Sequence, residues 1–99
     1  MEKYSNVVRF IVKDGNQDSF IEIYNKRTSL DGLISRVLLK TGDKTFCSVG
    51  IWEDEDSLIK NRENMNSFLN SFRDMLEEIS PDLGVTDVVS GAVVAEIYR

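Results

Sequence analysis

The stretch TFCSVGIWEDEDSL, residues 45–58, decides the fold. It opens as an apolar, partly β-branched run that reads as a strand and ends on Trp52. Four consecutive acids, Glu53 to Asp56, follow at once. Negative charge favours the N-terminus of a helix, and an aspartate such as Asp54 can accept hydrogen bonds from the first free backbone N–H groups there. A strand therefore hands over to a helix within three residues. Trp52 is the chain's single tryptophan, and it has two readings. It plugs the strand end with its N–H on a carbonyl, or it walls a pocket and stacks on an aromatic ligand.

Towards the N-terminus, TGDK (residues 41–44) reads as a hairpin turn in which Gly42 supplies a positive φ. Before it, LISRVLLK (33–40) is a strand, and Asp31 and Gly32 mark the break that precedes it. Phe20, Ile23, Tyr24 and Arg27 recur at helical spacing after polar starters, which predicts a short amphipathic helix within residues 16–29. The run NVVRFIVKDG (6–15) is a strand with Val8, Phe10 and Val12 on one face and Val7, Arg9 and Ile11 on the other. Towards the C-terminus, apolar residues from Leu58 to Ile79 repeat every three or four positions, predicting helix over 55–79. Asparagine is a weak helix former, so the polar segment 60–66 predicts a break near Arg62 to Asn64. Pro81 bars continuation, and residues 88–98 read as a last strand.

The order is β-α-β-β-α-β. It predicts an α+β, ferredoxin-like single domain over residues 1–99, a four-stranded antiparallel sheet with helices on one face. Helices cover only that face, yet both faces of the first strand carry apolar side chains, Val8 and Phe10 on one and Val7 and Ile11 on the other. The uncovered face is expected to meet a second copy of the chain, giving a homodimer through the sheet and a dimeric α/β barrel.

Composition removes several chemistries. No histidine is present, so Ser-His-Asp and Cys-His catalysis are out and transition-metal sites are disfavoured. Cys47 is the single cysteine, which forbids an internal disulfide, and its apolar surroundings predict a buried, inert thiol. The net charge of −5, with twelve scattered Lys and Arg, predicts no nucleic acid and no membrane partner. The opening residues lack a signal-peptide core, so a reduced, cytoplasmic setting is expected. No metal and no cofactor are expected.

VVRFIVKDGNQDSFIEIY, GDKTFCSVGIWEDEDSL and the long second helical stretch together resemble the antibiotic biosynthesis monooxygenase-like domains of the dimeric α+β barrel superfamily. The resemblance implies a homodimer with one pocket per protomer, between helices and sheet. Its best-known members oxidise aromatic polyketides or quinols with dioxygen and no cofactor. Its haem-degrading branch needs an axial histidine on the second helix, an asparagine where this chain has Val8, and a second tryptophan where it has Asn61, so haem degradation is excluded.

The pocket candidates are Trp52, Asn61, Asn64, Tyr24, Phe20 and Phe68, with the amides as donors towards a developing oxyanion. Each has a plainer reading. The asparagines sit at a helix interruption, and Met65, Phe68, Phe72 and Met75 form an aromatic and sulfur stripe that suits a core. Arg9 and Arg36 lie inside strands, where they bind an anionic ligand or pair with carboxylates at an interface or sheet margin. Two functions follow: a cofactor-independent monooxygenase of a small phenolic or quinol substrate, or a non-catalytic dimeric module that binds a small aromatic molecule or serves structure.

Overall fold

The computed structural model describes residues 2–99. Its elements are β1 (Tyr4–Ile11), α1 (Gln17–Asn25), β2 (Leu33–Lys40), β3 (Thr45–Trp52), α2 (Glu55–Lys60), α3 (Arg62–Phe72), a single 3-10 turn (Arg73–Met75) and β4 (Asp87–Ala92). All strand pairs are antiparallel, in the order β2-β3-β1-β4. This is the expected α+β, ferredoxin-like plan. No helix of the described residues is long and apolar enough to cross a membrane.

The junction after Trp52 forms as its charges require. Asp54 caps α2, its Oδ1 accepting from the Ser57 backbone N–H and hydroxyl, both at 2.8 Å. Those bonds hold the Asp54 carboxyl below its usual pKa. The interruption of the long helix falls at Asn61, just ahead of the expected 62–64. Asn61 donates one Nδ2 proton to the Asp31 carbonyl (2.9 Å) and the other to the Ser57 carbonyl (2.8 Å), so its side chain ties the helix joint to the loop before β2.

Four local expectations are corrected. The helix ends at Phe72 rather than at Ile79, because the backbone beyond β1 takes the following residues as partners. Lys13 N donates to Met75 O (2.7 Å), Glu77 N donates to Ile11 O (2.8 Å), and Leu76 bridges to Val12. Met75, Leu76 and Ile79 keep their apolar spacing while the chain is extended at Leu76. The last strand ends at Ala92 rather than near Tyr98. It pairs with β1, which starts opposite it at Tyr4, and after one more bond, Val93 N to Lys3 O, no further backbone pairing continues it among the described residues. The 41–44 hairpin closes through Thr41 N to Thr45 O (2.9 Å), but Gly42 is not left-handed. The positive φ values fall at Gly15, Gly32 and Gly84. Cys47 is half-buried rather than buried, on the outer face between Leu39 and Arg9.

Between the sheet and the helices lies a core of Phe10, Val12, Phe20, Phe46, Phe72 and Leu76. Its rings meet edge-on or tilted, with Phe20 centroids 5.4, 5.1 and 5.2 Å from those of Phe10, Phe46 and Phe72. The opposite face of the sheet carries a row of four valines, Val37, Val49, Val7 and Val89, one from each strand. The outer two of these are more than half exposed.

Candidate active site

Two rows of inward-facing side chains on the sheet build the site. One row runs Arg36, Gly50, Asn6, Ser90 and the next Leu38, Ser48, Val8, Val88, each read from β2 through β3 and β1 to β4. Three of these eight are small, and where they stand the helices do not fill the space. A cavity of about 260 Å³ remains. Its floor and walls are Val8, Phe10, Phe72, Phe68, Leu69 and Leu58, and its polar groups are Asn6, Tyr24, Ser48 and the guanidiniums of Arg27, Arg36 and Arg62. Arg62 and Asn66 on α3 and Val88 and Ser90 on β4 are exposed members of the lining, so the mouth opens between α3 and β4.

Trp52 is fully buried, and its Nε1 donates to Asn6 Oδ1 at 2.7 Å. It does not line the cavity but stands behind it, the Arg36 guanidinium carbon being 5.9 Å from its ring centroid. Gly50 makes this arrangement possible. A methyl group at position 50 would lie 2.7 Å from Asn6 Oδ1 and 3.1 Å from Arg36 Nη2, so only hydrogen there lets the guanidinium lie flat against β3.

Of the other candidates, Tyr24 and Phe68 line the cavity, and their rings meet at 5.2 Å. Phe20 is fully buried among the core rings. Asn61 is buried with both amide protons used, and its Oδ1 accepts from Asn64 Nδ2 at 3.2 Å, so the two asparagines spend each other at the helix joint. The structure thus brings Tyr24 and Phe68 together with residues the sequence did not single out for the pocket, namely Asn6, Arg27, Ser48 and Arg62. One signal for Arg27 was present: it continues the apolar spacing of Phe20, Ile23 and Tyr24, although α1 itself ends at Asn25.

The electrostatics are set by burial. It pushes the Arg27 guanidinium down to about 10, and the Arg36 charge pushes the same way. Burial also lowers Arg36, opposed by Tyr24. Burial raises the Tyr24 phenol, against the lowering pull of Ser48, Arg36 and Arg27. At neutral pH the cavity therefore holds a neutral phenol and unneutralised guanidiniums. Arg27 also stacks on Phe68, its carbon 3.9 Å from the ring centroid. Among the described residues, no carboxylate lines the cavity. Nor do three or more His, Cys, Asp or Glu stand together anywhere as a metal-ion site. Such a space suits a small aromatic molecule whose oxygen takes on negative charge.

Solved structures with this fold include proteins named as antibiotic biosynthesis monooxygenases and others of unknown function. The chain has their fold. One, from Chloroflexus aurantiacus and provisionally named an antibiotic biosynthesis monooxygenase, aligns over 97% of both chains at a TM-score of 0.75 and 13% identity. A monooxygenase from the gene ActVA-Orf6 of Streptomyces coelicolor, in complex with nanaomycin D, aligns over 99% of this chain and 93% of its own at 0.73 and 14%. A variant of SnoaB, a cofactor-independent oxygenase from Streptomyces nogalater, aligns over the whole of both chains at 0.71 and 12%. No protein-family model and no curated protein matches the sequence.

Proposed function

We propose that the protein is a cofactor-independent monooxygenase of a small phenolic or quinol substrate, acting in the cavity between α3 and β4. The observation that carries this reading is a ring-lined hollow whose polar groups are cations and neutral donors, with no histidine or carboxylate base among them. Guanidiniums in a partly dry cavity stabilise a phenolate and so lower the pKa of the bound hydroxyl. The proton leaves to water at the mouth. The electron-rich phenolate then reduces dioxygen itself. One oxygen atom becomes a new ring carbonyl and the other leaves as water, so a phenol is converted to a quinone with no outside reductant. The named activities of the two Streptomyces proteins of like fold support the same reading.

The outer face completes the picture as a homodimer contact. The valine row, flanked by Leu39 and Ile51, is an apolar stripe that a second sheet covers. Val49→Lys is expected to leave a folded monomer by sedimentation.

Oxygen uptake with a panel of hydroquinones and anthrones, corrected for spontaneous oxidation, tests the activity. Saturable uptake at one dioxygen per quinone formed is expected, reduced at least tenfold by Val88→Trp, which plugs the mouth without touching the core. Uptake no faster than the spontaneous rate across the panel, or unchanged in Val88→Trp, overturns the reading.

A further inference from the structure

We infer that the substrate carries its own negative charge: the cavity is built for a hydroxyarene carboxylate, with the ring between Phe68 and β4 and the carboxylate on Arg27 and Arg36. The inference rests on the proposed cavity reading and narrows its substrate class.

Acids outnumber bases in this chain, seventeen to twelve. Four cations elsewhere in the fold pair with them. Lys3 pairs with Glu96, Arg9 with Asp87, Lys26 with Glu22 and Lys44 with Glu77, at 2.8 to 3.3 Å. Arg27 and Arg36 are partly buried, and burial makes an unpaired charge more costly. Even so, no carboxylate lies within salt-bridge distance of either among the described residues. Arg36 Nε is buried with no hydrogen-bond partner, and its Nη2 reaches only the Met65 sulfur at 3.8 Å. Asn6, beside it in the same row of the sheet, directs its Oδ1 to Trp52 instead.

The two guanidiniums also stand at a border. Both line the ring-walled cavity, and both line a second hollow of about 330 Å³ between the end of α1 and β2, whose lining likewise holds no acid. The two like charges repel across this border, Arg36 adding to the burial that holds Arg27 below the usual arginine range. A bound carboxylate relieves both, and its planar oxygens match the fork of a guanidinium. A copy packed on the outer valine row cannot supply that anion, because Arg36 points to the opposite face of the sheet. Size fits as well. A cavity of about 150 Å³ holds benzene, so 260 Å³ takes two fused rings.

Calorimetry under anaerobic conditions with 1-hydroxy-2-naphthoate and 1-naphthol, which share their rings and differ in the carboxylate, tests the inference. The naphthoate is expected to bind about 10- to 100-fold tighter, the range of a hydrogen-bonded charge pair. Arg36→Met and Arg27→Met, each checked for fold by circular dichroism, should remove that advantage, with naphthol affinity falling much less than naphthoate affinity. Arg9→Met, on the outer face, should change neither. Equal affinity for the two ligands, no binding of either, or an advantage that survives both arginine variants overturns the inference. The parent reading fails separately. Naphthol binding with oxygen uptake but no carboxylate preference sinks only the substrate class. Arginine-dependent naphthoate binding with no uptake of oxygen by any substrate sinks the oxygenase and keeps the anion site.

Discussion

The layer between sheet and helices has two ends made by the same strands, one solid and one hollow. On β1, Phe10 faces inward at the solid end and Asn6 at the hollow one; on β3, Phe46 and Gly50 divide in the same way. At the solid end the rings of Phe10, Phe20, Phe46 and Phe72 close the space. At the other, Asn6, Ser48, Gly50 and Ser90 leave 260 Å³ open to three arginines. In a domain this thin, one side-chain size at alternate strand positions decides whether the layer is core or site. The hollow end keeps charges that the solid end could not hold, which is the condition an active site needs.

The sharpest way to break this contrast is truncation at the solid end. Phe20→Ala should cost about 3–5 kcal/mol in denaturant unfolding, because the ring is fully enclosed. Met65→Ala, on the cavity wall, should cost far less. Equal losses would mean the hollow is packed like the core. Next comes the link between the ends. Asn6→Ala leaves the buried Trp52 N–H without its acceptor and should cost about 1–3 kcal/mol, with a shift in tryptophan emission. Gly50→Ala, which presses a methyl group on Asn6 and Arg36, should cost a similar or smaller amount and also weaken ligand binding. At the hollow end, Arg36→Met should leave the unfolding midpoint unchanged or raise it, since it exchanges an unpaired, half-buried charge for an apolar chain. A clear loss of stability would mean that Arg36 serves the fold.

The smallest effect concerns pH. Burial depresses Arg27 to about 10 in the folded protein, so its proton is bound less tightly there than in the unfolded chain. Its charge therefore disfavours folding below about pH 10, and that penalty fades as pH rises through 10 towards the ordinary arginine value. Anionic ligands should show the opposite sense, binding more weakly above pH 10, and titration calorimetry of Arg27→Met should lose that dependence.

Much of the fold was legible in the chain. The run of acids after Trp52 placed the strand-to-helix junction and its cap, and alternation along residues 6–12 sorted β1 into its two faces without saying which turns inward. The ends of α3 and β4 were not legible, because both are set by where β1 runs out of partners, a tertiary fact. The site was harder. Sequence put Arg9 and Arg36 on one footing, as anion binders or interface cations. The structure separates them: Arg9 is exposed and pairs with Asp87 at 3.3 Å, while Arg36 turns into the cavity. The cause is one extra residue in β2. Leu33 faces Trp52 and Ser35 faces Ile51, so Ile34 is a bulge that shifts the alternation and sends Arg36 inward. No property of LISRVLLK announces that slip. Trp52 had both of its readings open, and its N–H found a side-chain oxygen on the neighbouring strand.

The most direct test of the contrast is an anaerobic crystal structure with 1,4-dihydroxynaphthalene bound. The account predicts the ring between Phe68, Met65 and Val88, with a hydroxyl oxygen within hydrogen-bond reach of Arg36 and the four core phenylalanines unmoved. A ring seated on the outer valine row, or a space closed by collapse of α3 onto β4, would contradict it.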